Sequence, residues 1–178
     1  MNLYEKTIAF VDKSFLAKKP HFERTVFWIE KFIPKATEAH KIAAYAHDIE
    51  RAIKGEKDRD YLNPNILKSH QEAGAEIMEK FLKENGADNQ IIATVKHLIS
   101  QHEFGGDSEQ NALMDADSLS YFETNAQHFV EQRAVKEGYA KIKEKLDWMF
   151  NRISSPERKN LAKANYKKWL KALEIYKK

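Results

Sequence analysis

Residues 42–49 read Ile42-Ala43-Ala44-Tyr45-Ala46-His47-Asp48-Ile49. Apolar side chains take nearly every position, so at helical pitch they cover almost the whole circumference. That is the mark of a helix buried on all sides, not of an amphipathic surface helix. The stretch sits inside a helix expected from about Thr37 or Glu38 to Ile53, stopping at Gly55. Two ionisable residues, His47 and Asp48, lie in its middle. A buried carboxylate is costly unless a histidine, a lysine or arginine, or a metal ion neutralises it. Neighbouring helical residues point about 100° apart, so an ion over the ridge between these two is within reach of both.

Outward from this stretch the period stays helical. The pattern predicts a first helix over about 2–17 and a second from Pro20 through Val26, Ile29 and Phe32 to a break at Pro34. The charged, turn-rich segment 55–64 reads as a loop. Asn65 is the expected cap of a fourth helix that passes Phe81 and closes at Gly86, and Asp88 that of a fifth ending by Gly105-Gly106. A sixth helix is expected over 109–126, and two long ones over 130–153 and 156–176. Ser155 as cap, Pro156 at the first helical position and Glu157 in the first turn make a well-formed start for the last. No stretch reads as a strand, so the fold class is all-α.

The chain has 178 residues, of which 42% are hydrophobic and 32% charged, which is the composition of a folded domain able to bury its own core. Only 6 Gly and 4 Pro are present, too few for the turns of a sandwich or barrel. The absence of Cys excludes disulfides, thiolate catalysis and thiolate zinc sites, and suits a cytoplasmic chain. No apolar run nears the roughly 20 residues of a membrane span. Glu5 and Asp12 inside the N-terminal stretch argue against a signal peptide. Net charge is +3 but uneven: residues 131–178 hold 14 Lys or Arg against 6 Asp or Glu, a net of +8. A basic tail of this kind is either a solvated lysine-rich helix or a surface for phosphate or nucleic acid.

The histidines are 21, 40, 47, 70, 97, 102 and 128, so six fall within 82 residues, on several different expected helices. An acidic pair, Asp115 and Asp117, lies in the sixth. Imidazole and carboxylate ligands together suit Mn, Fe, Co, Ni or Zn, and carboxylate-rich sites admit Mg. Helical bundles build such sites from inward side chains on facing helices. Residues two apart on a helix point about 200° from each other, so Asp115 and Asp117 should not both be central.

The order His21, His47-Asp48, Asp117 resembles the H…HD…D pattern of the HD-domain metal-dependent phosphohydrolase superfamily. The resemblance spans roughly residues 20–125. Its pieces are Pro20-His21-Phe22-Glu23-Arg24, Ala46-His47-Asp48-Ile49-Glu50-Arg51, the segment from Ser69-His70 through Gly74-Ala75 to Met78, and Met114-Asp115-Ala116-Asp117-Ser118-Leu119. It implies a helical HD core over 20–125 within a single domain of 1–178, with 126–178 as a helical extension packed on the core through Tyr139, Ile142, Leu146, Met149, Phe150, Leu161, Trp169, Leu170 and Leu173.

The resemblance implies His21, His47, Asp48 and Asp117 as ligands of one divalent ion (Mn, Mg, Fe, Co or Ni). Asp117 is preferred to Asp115 because the family's ligand precedes x-Leu. In branches with a second ion, His70 and His97 are the implied further ligands, and His102 then faces substrate. Asp48 would ligate and orient the attacking water. Arg51, with Arg24 or His102, would hold phosphoryl oxygens. His40 and His128 read as structural. The loop of the cyclic-dinucleotide branch is missing: after His102-Glu103 there is only Phe104-Gly105-Gly106. The expected activity is hydrolysis of a small phosphorylated molecule, a nucleotide by preference, through metal-activated water. The rivals are an HD-fold di-iron oxygenase and a non-catalytic HD scaffold or sensor whose basic tail binds a partner or RNA.

Overall fold

The computed structural model describes residues 1–55 and 62–177. It is all-α, with no strand among the described residues. Helix α1 (Leu3–Phe15) is closed by a capping box of Asn2 and Glu5, and a short 3-10 turn leads into α2 (Lys19–Phe32) with Pro20 in its first turn. Helices α3 (Glu38–Ala46), α4 (Ile49–Lys54), α5 (Pro64–Glu84) and α6 (Asn89–Ile99) follow. Helix α7 (Ser108–Ser120) continues through a π segment (Tyr121–Asn125), α8 (Ala126–His128), a second π segment (Phe129–Arg133) and α9 (Ala134–Glu137). Helices α10 (Tyr139–Asn151) and α11 (Pro156–Leu173) complete the chain. No described helix is long and apolar enough to cross a membrane.

Helix α3 is the buried rod its sequence predicts: Ile42, Ala43, Ala44 and Ala46 are fully covered and Tyr45 nearly so. It is wrapped by α1, α2 and α6, with Phe22, Ile29, Met78, Leu82, Leu98 and Leu113 around it. Helix α1 belongs to this first core, since the Tyr45 hydroxyl donates to Asp12 at 2.7 Å and Phe10 stacks on Phe81. A second apolar cluster joins Tyr121, Phe122, Val130, Ile142, Leu146, Met149, Trp169 and Leu173. There the Trp169 indole donates to the carbonyl of Phe122 at 2.8 Å, and Phe150 stacks on Tyr166.

Several boundaries differ from the sequence reading, each for a local reason. The helix expected over 37–53 breaks at His47–Asp48, because Asp48 leaves helical geometry at φ −95°, ψ 13°. The cap of α5 is Asn63, not Asn65: its carboxamide accepts from the amides of Asn65 and Ile66, and Pro64 takes the first position. Helix α6 ends at Ile99, and turns carry the chain on to the Gly105-Gly106 pair. There is no break near 126–130. Wide π turns keep the helix running to Glu137, and the break falls at Gly138, φ 84°. Leu161 is 52% exposed, and Ala162 is the buried residue of that turn of α11. Asp88 and Ser155 cap α6 and α11 as expected. Of the loop read over 55–64, residues 56–61 lie outside the described part of the chain.

Candidate metal centre

Four histidine rings converge from four directions. His21 comes from the first turn of α2, His47 from the α3–α4 turn, His70 from α5, and His102 from the turns after α6. The rings of His47 lie 5.3 Å from His21 and 5.2 Å from His102, and His70 lies 5.2 Å from His102. Asp48, Glu103 and Asp117 fill the space between them, and all seven residues are buried.

Each imidazole is anchored through Nδ1 and presents Nε2 inward. His47 Nδ1 donates to the carbonyl of Ala44 at 2.9 Å, and His102 Nδ1 to that of Ile99 at 2.8 Å. His70 Nδ1 donates to the buried Glu50 at 2.8 Å. Ser120 spends its hydroxyl proton on the carbonyl of His21, so its oxygen accepts from His21 Nδ1 at 2.8 Å. A histidine fixed in this way has a defined tautomer, with its Nε2 lone pair available to a metal. Those Nε2 atoms face carboxylate oxygens: His21 to Asp117 at 3.1 Å, His70 to Asp48 at 3.1 Å, His47 to Asp117 at 3.5 Å and His102 to Glu103 at 3.7 Å.

Lone pairs aimed at carboxylates repel unless a cation stands between them. Burial keeps His21 low and pushes His102 down to about 4, so both are neutral. Burial also disfavours charge on His47 and His70, but carboxylates win: Asp48 and Asp117 raise His47 to about 9, and Asp48 and Glu50 raise His70. Burial acts against the acids too, yet Arg51 and His47 hold Asp48 well below the usual carboxylate range, and Arg152 does the same for Asp117. Glu103 falls to about 2 between Arg51 and Arg152. The Nε2 atoms of His47 and His102 are buried without a hydrogen-bond partner. Neutral His21 and His102, ionised carboxylates, and His47 and His70 held protonated by those acids where an ion would take the proton's place make the donor set of a divalent cation, so the residues fit a metal. The atoms of His21, His47 and Asp48 lie within 4.8 Å of one another, as do those of Asp48, His70, His102 and Glu103. Asp48 belongs to both groups, which gives room for one ion or two.

The sequence reading placed His21, His47, Asp48, Asp117 and His70 here, and the structure brings them together. His97 is elsewhere: its side chain is 49% exposed and pairs with Asp107 at 2.6 Å. The helix ends at Ile99, and the turns beyond it rotate His102 inward in its place. Arg24 also stands outside the cleft wall, held by Glu123 and stacked over Phe27. Arg51 lines the cleft, bound to Glu103 at 2.6 Å and near Asp48 at 3.5 Å. Asp115 is buried, but it accepts from the amide and hydroxyl of Ser154 and from Arg158, tying α7 to the start of α11. His40 caps α3 through Thr37, and His128 is exposed against Phe129.

Glu50, Glu103, Ser120, Lys145 and Arg152 were not expected. Glu103 directly follows His102 in sequence, which is the signal that points to it. Arg152 carries no such signal: it caps the C-terminus of α10, far from the motif.

The cluster forms the floor of a cleft that opens to solvent. One wall is the face Tyr121, Asn125, Phe129 and Arg133. In an α-helix, positions four apart advance about 40° each and would leave this wall. The wider π turns take the drift back and keep all four side chains on the cleft, in line with the association of π bulges with functional sites.

A family model matches residues 10–173, nearly the whole chain: a domain of unknown function, DUF4202. No curated protein and no solved structure matches.

Proposed function

We propose that this chain, which belongs to the DUF4202 family, is a metal-dependent phosphohydrolase acting on a small phosphorylated molecule, with nucleotides the first class to test. The observation that carries the reading is the convergence of anchored histidines and ionised carboxylates at the floor of a cleft whose walls bear Lys18, Arg51, Arg133, Lys145 and Arg152. A bound divalent cation lowers the pKa of coordinated water and stabilises charge on a phosphoryl oxygen. His21, His47, Asp48 and Asp117 would hold it, and His70, His102 and Glu103 are placed to hold a second beside Asp48. Arg51 fixes the Asp48 and Glu103 carboxylates from the cleft side, which orients their oxygens toward the histidines. The cationic walls draw an anionic ester onto that floor, and Tyr121 and Phe129 offer apolar surface to the rest of the molecule.

The test is metal analysis of the purified protein beside a hydrolysis screen of nucleotides and sugar phosphates with Mn, Mg, Fe, Co and Ni. Phosphate release that depends on metal and is lost in Asp48→Ala supports the reading. A metal-free protein inactive under every condition overturns it. The two donor groups sharing Asp48 also favour testing a di-iron oxygenase, for which iron content and the electronic spectrum of the oxidised protein are diagnostic.

A further inference from the structure

We propose that Glu50 is a positioning residue for the second cation position: by holding His70 through a carboxylate, it strengthens the grip of Asp48, His70, His102 and Glu103 on a divalent ion. This rests on the metal reading given under the proposed function and deepens it, because it makes the two positions that share Asp48 unequal.

The four imidazoles of the centre are anchored alike in geometry but not in charge. The Nδ1 partners of His21, His47 and His102 are neutral oxygens, those of Ser120, Ala44 and Ile99. His70 differs, with the Glu50 carboxylate at 2.8 Å. Its Nε2 lies 3.1 Å from Asp48, so the ring is clasped between two acids that are two residues apart. Both can reach it because Asp48 leaves helical geometry before α4 begins, and Glu50 stands in the first turn of the new helix. Gly74 follows His70 by one turn of α5 and lets that helix lie against the α3–α4 turn. A Cβ there would stand 3.5 Å from the carbonyl oxygen of His47 and 3.9 Å from Cβ of Glu50.

Glu50 is 4% exposed, and the half-exposed Lys54 also reaches it at 3.5 Å. Burying a carboxylate behind a histidine costs the fold stability. The return is at the ion. A ligating histidine whose other nitrogen donates to a carboxylate is fixed in tautomer and orientation, and binds as a stronger base. The second position has more need of this than the first. Among the described residues, Glu103 is gripped by both Arg51 and Arg152, and Asp117 by Arg152 only. Those guanidinium charges oppose an incoming cation. Glu50 works against them from the far side of His70 without taking a place on the ion.

The experiment is calorimetric titration of Mn into the chelator-stripped full chain, for wild type, Glu50→Gln, Glu50→Ala and Ser120→Ala. Wild type should take up two ions in two steps. Glu50→Gln keeps an acceptor for His70 Nδ1 and removes the charge, and should weaken one step about tenfold. Glu50→Ala should weaken the same step by up to about 100-fold. Ser120→Ala removes the anchor of His21 and should weaken the other step alone. A merely structural role for Glu50 would move both steps together. Should Glu50→Ala fail to fold, the isosteric Glu50→Gln carries the comparison. Steps unchanged in the Glu50 variants, both steps weakened equally, or a wild type that binds one ion or none overturns the assignment. A wild type that binds two ions and weakens one step in Glu50→Gln, yet hydrolyses no phosphate ester, overturns the hydrolase reading and leaves the role of Glu50 standing.

Discussion

Asp117 and Arg152, 35 residues apart in sequence, share a buried ion pair in which Nη2 of the arginine holds Oδ2 of the aspartate. The same guanidinium reaches Oε2 of Glu103 at 2.6 Å and the hydroxyl of Ser118 at 2.8 Å. The other oxygen of Asp117 is thereby turned to His21 and His47. A residue of the C-terminal extension thus sets the direction of a carboxylate in the centre.

Arg152→Gln should therefore cost both stability and metal affinity. Removing one partner of a buried ion pair costs about 3–5 kcal/mol, because it strands the other charge. Here Asp117 loses its arginine, while Glu103 keeps Arg51. A divalent cation beside them offsets part of that cost, so the loss in Tm should be larger in chelator than in Mn. Thermal unfolding under both conditions checks this. Equal losses would show that Arg152 does not act through the acids of the centre.

His102→Ala should lower the metal content of the protein, whereas His97→Ala should leave it unchanged. His102 aims a buried, unsatisfied Nε2 into the cluster. His97 is in an exposed pair with Asp107, and exposed pairs contribute only about 0–1 kcal/mol. Elemental analysis of the two variants after growth with ample Mn separates them. Metal loss in His97→Ala alone would reverse the assignment.

The contrast between His97 and His102 shows where sequence reading stops. The helical period and the apolar cover around His47 identify α3 as a buried helix, and the order His21, His47-Asp48, Asp117 is legible through its resemblance to the HD pattern before any coordinates. The choice between two histidines five apart depends on where a helix ends. Ile99 and Ser100 bear no cap signal strong enough to place that end. The break at Gly138 is hidden for a related reason: apolar residues run on through Phe129 and Val130, and a π turn leaves no mark in the hydrophobic pattern. Arg152 and Lys145 are basic residues in a lysine-rich segment, and composition alone cannot tell a solvated lysine from one folded into a cleft.

Gly138→Ala should lower stability without touching the centre. Gly138 sits at φ 84°, ψ 161°, a region essentially reserved for glycine. A Cβ there would meet nothing within 4 Å, so the cost is conformational alone, about 1–3 kcal/mol. Chemical denaturation should show the lower stability beside unchanged metal content. An alanine variant as stable as wild type would mean that the α9–α10 turn relaxes to another geometry.

Lys145→Met should stabilise the metal-free protein, and the gain should shrink as pH rises. Lys145 has a folded pKa of about 7 against an ordinary value of 10.5. Between those values the unfolded chain holds a proton that the folded chain does not, so wild-type stability rises with pH through that window, by at most about 1.4 kcal/mol per unit. Below about pH 7 the folded lysine is charged and buried, and wild type stands at its greatest disadvantage to the methionine variant. Of the acids that act on it, Glu103 and Asp117 are held ionised below this window. His47, raised to about 9, titrates in both proteins and largely cancels in the difference. The measurement is the difference in Tm between the two proteins from pH 6 to 10 in chelator. A gap favouring methionine at pH 6 and closing toward pH 10 marks a lysine kept at a cost to the fold. A pH-independent difference would show that the ammonium is not desolvated in the cleft.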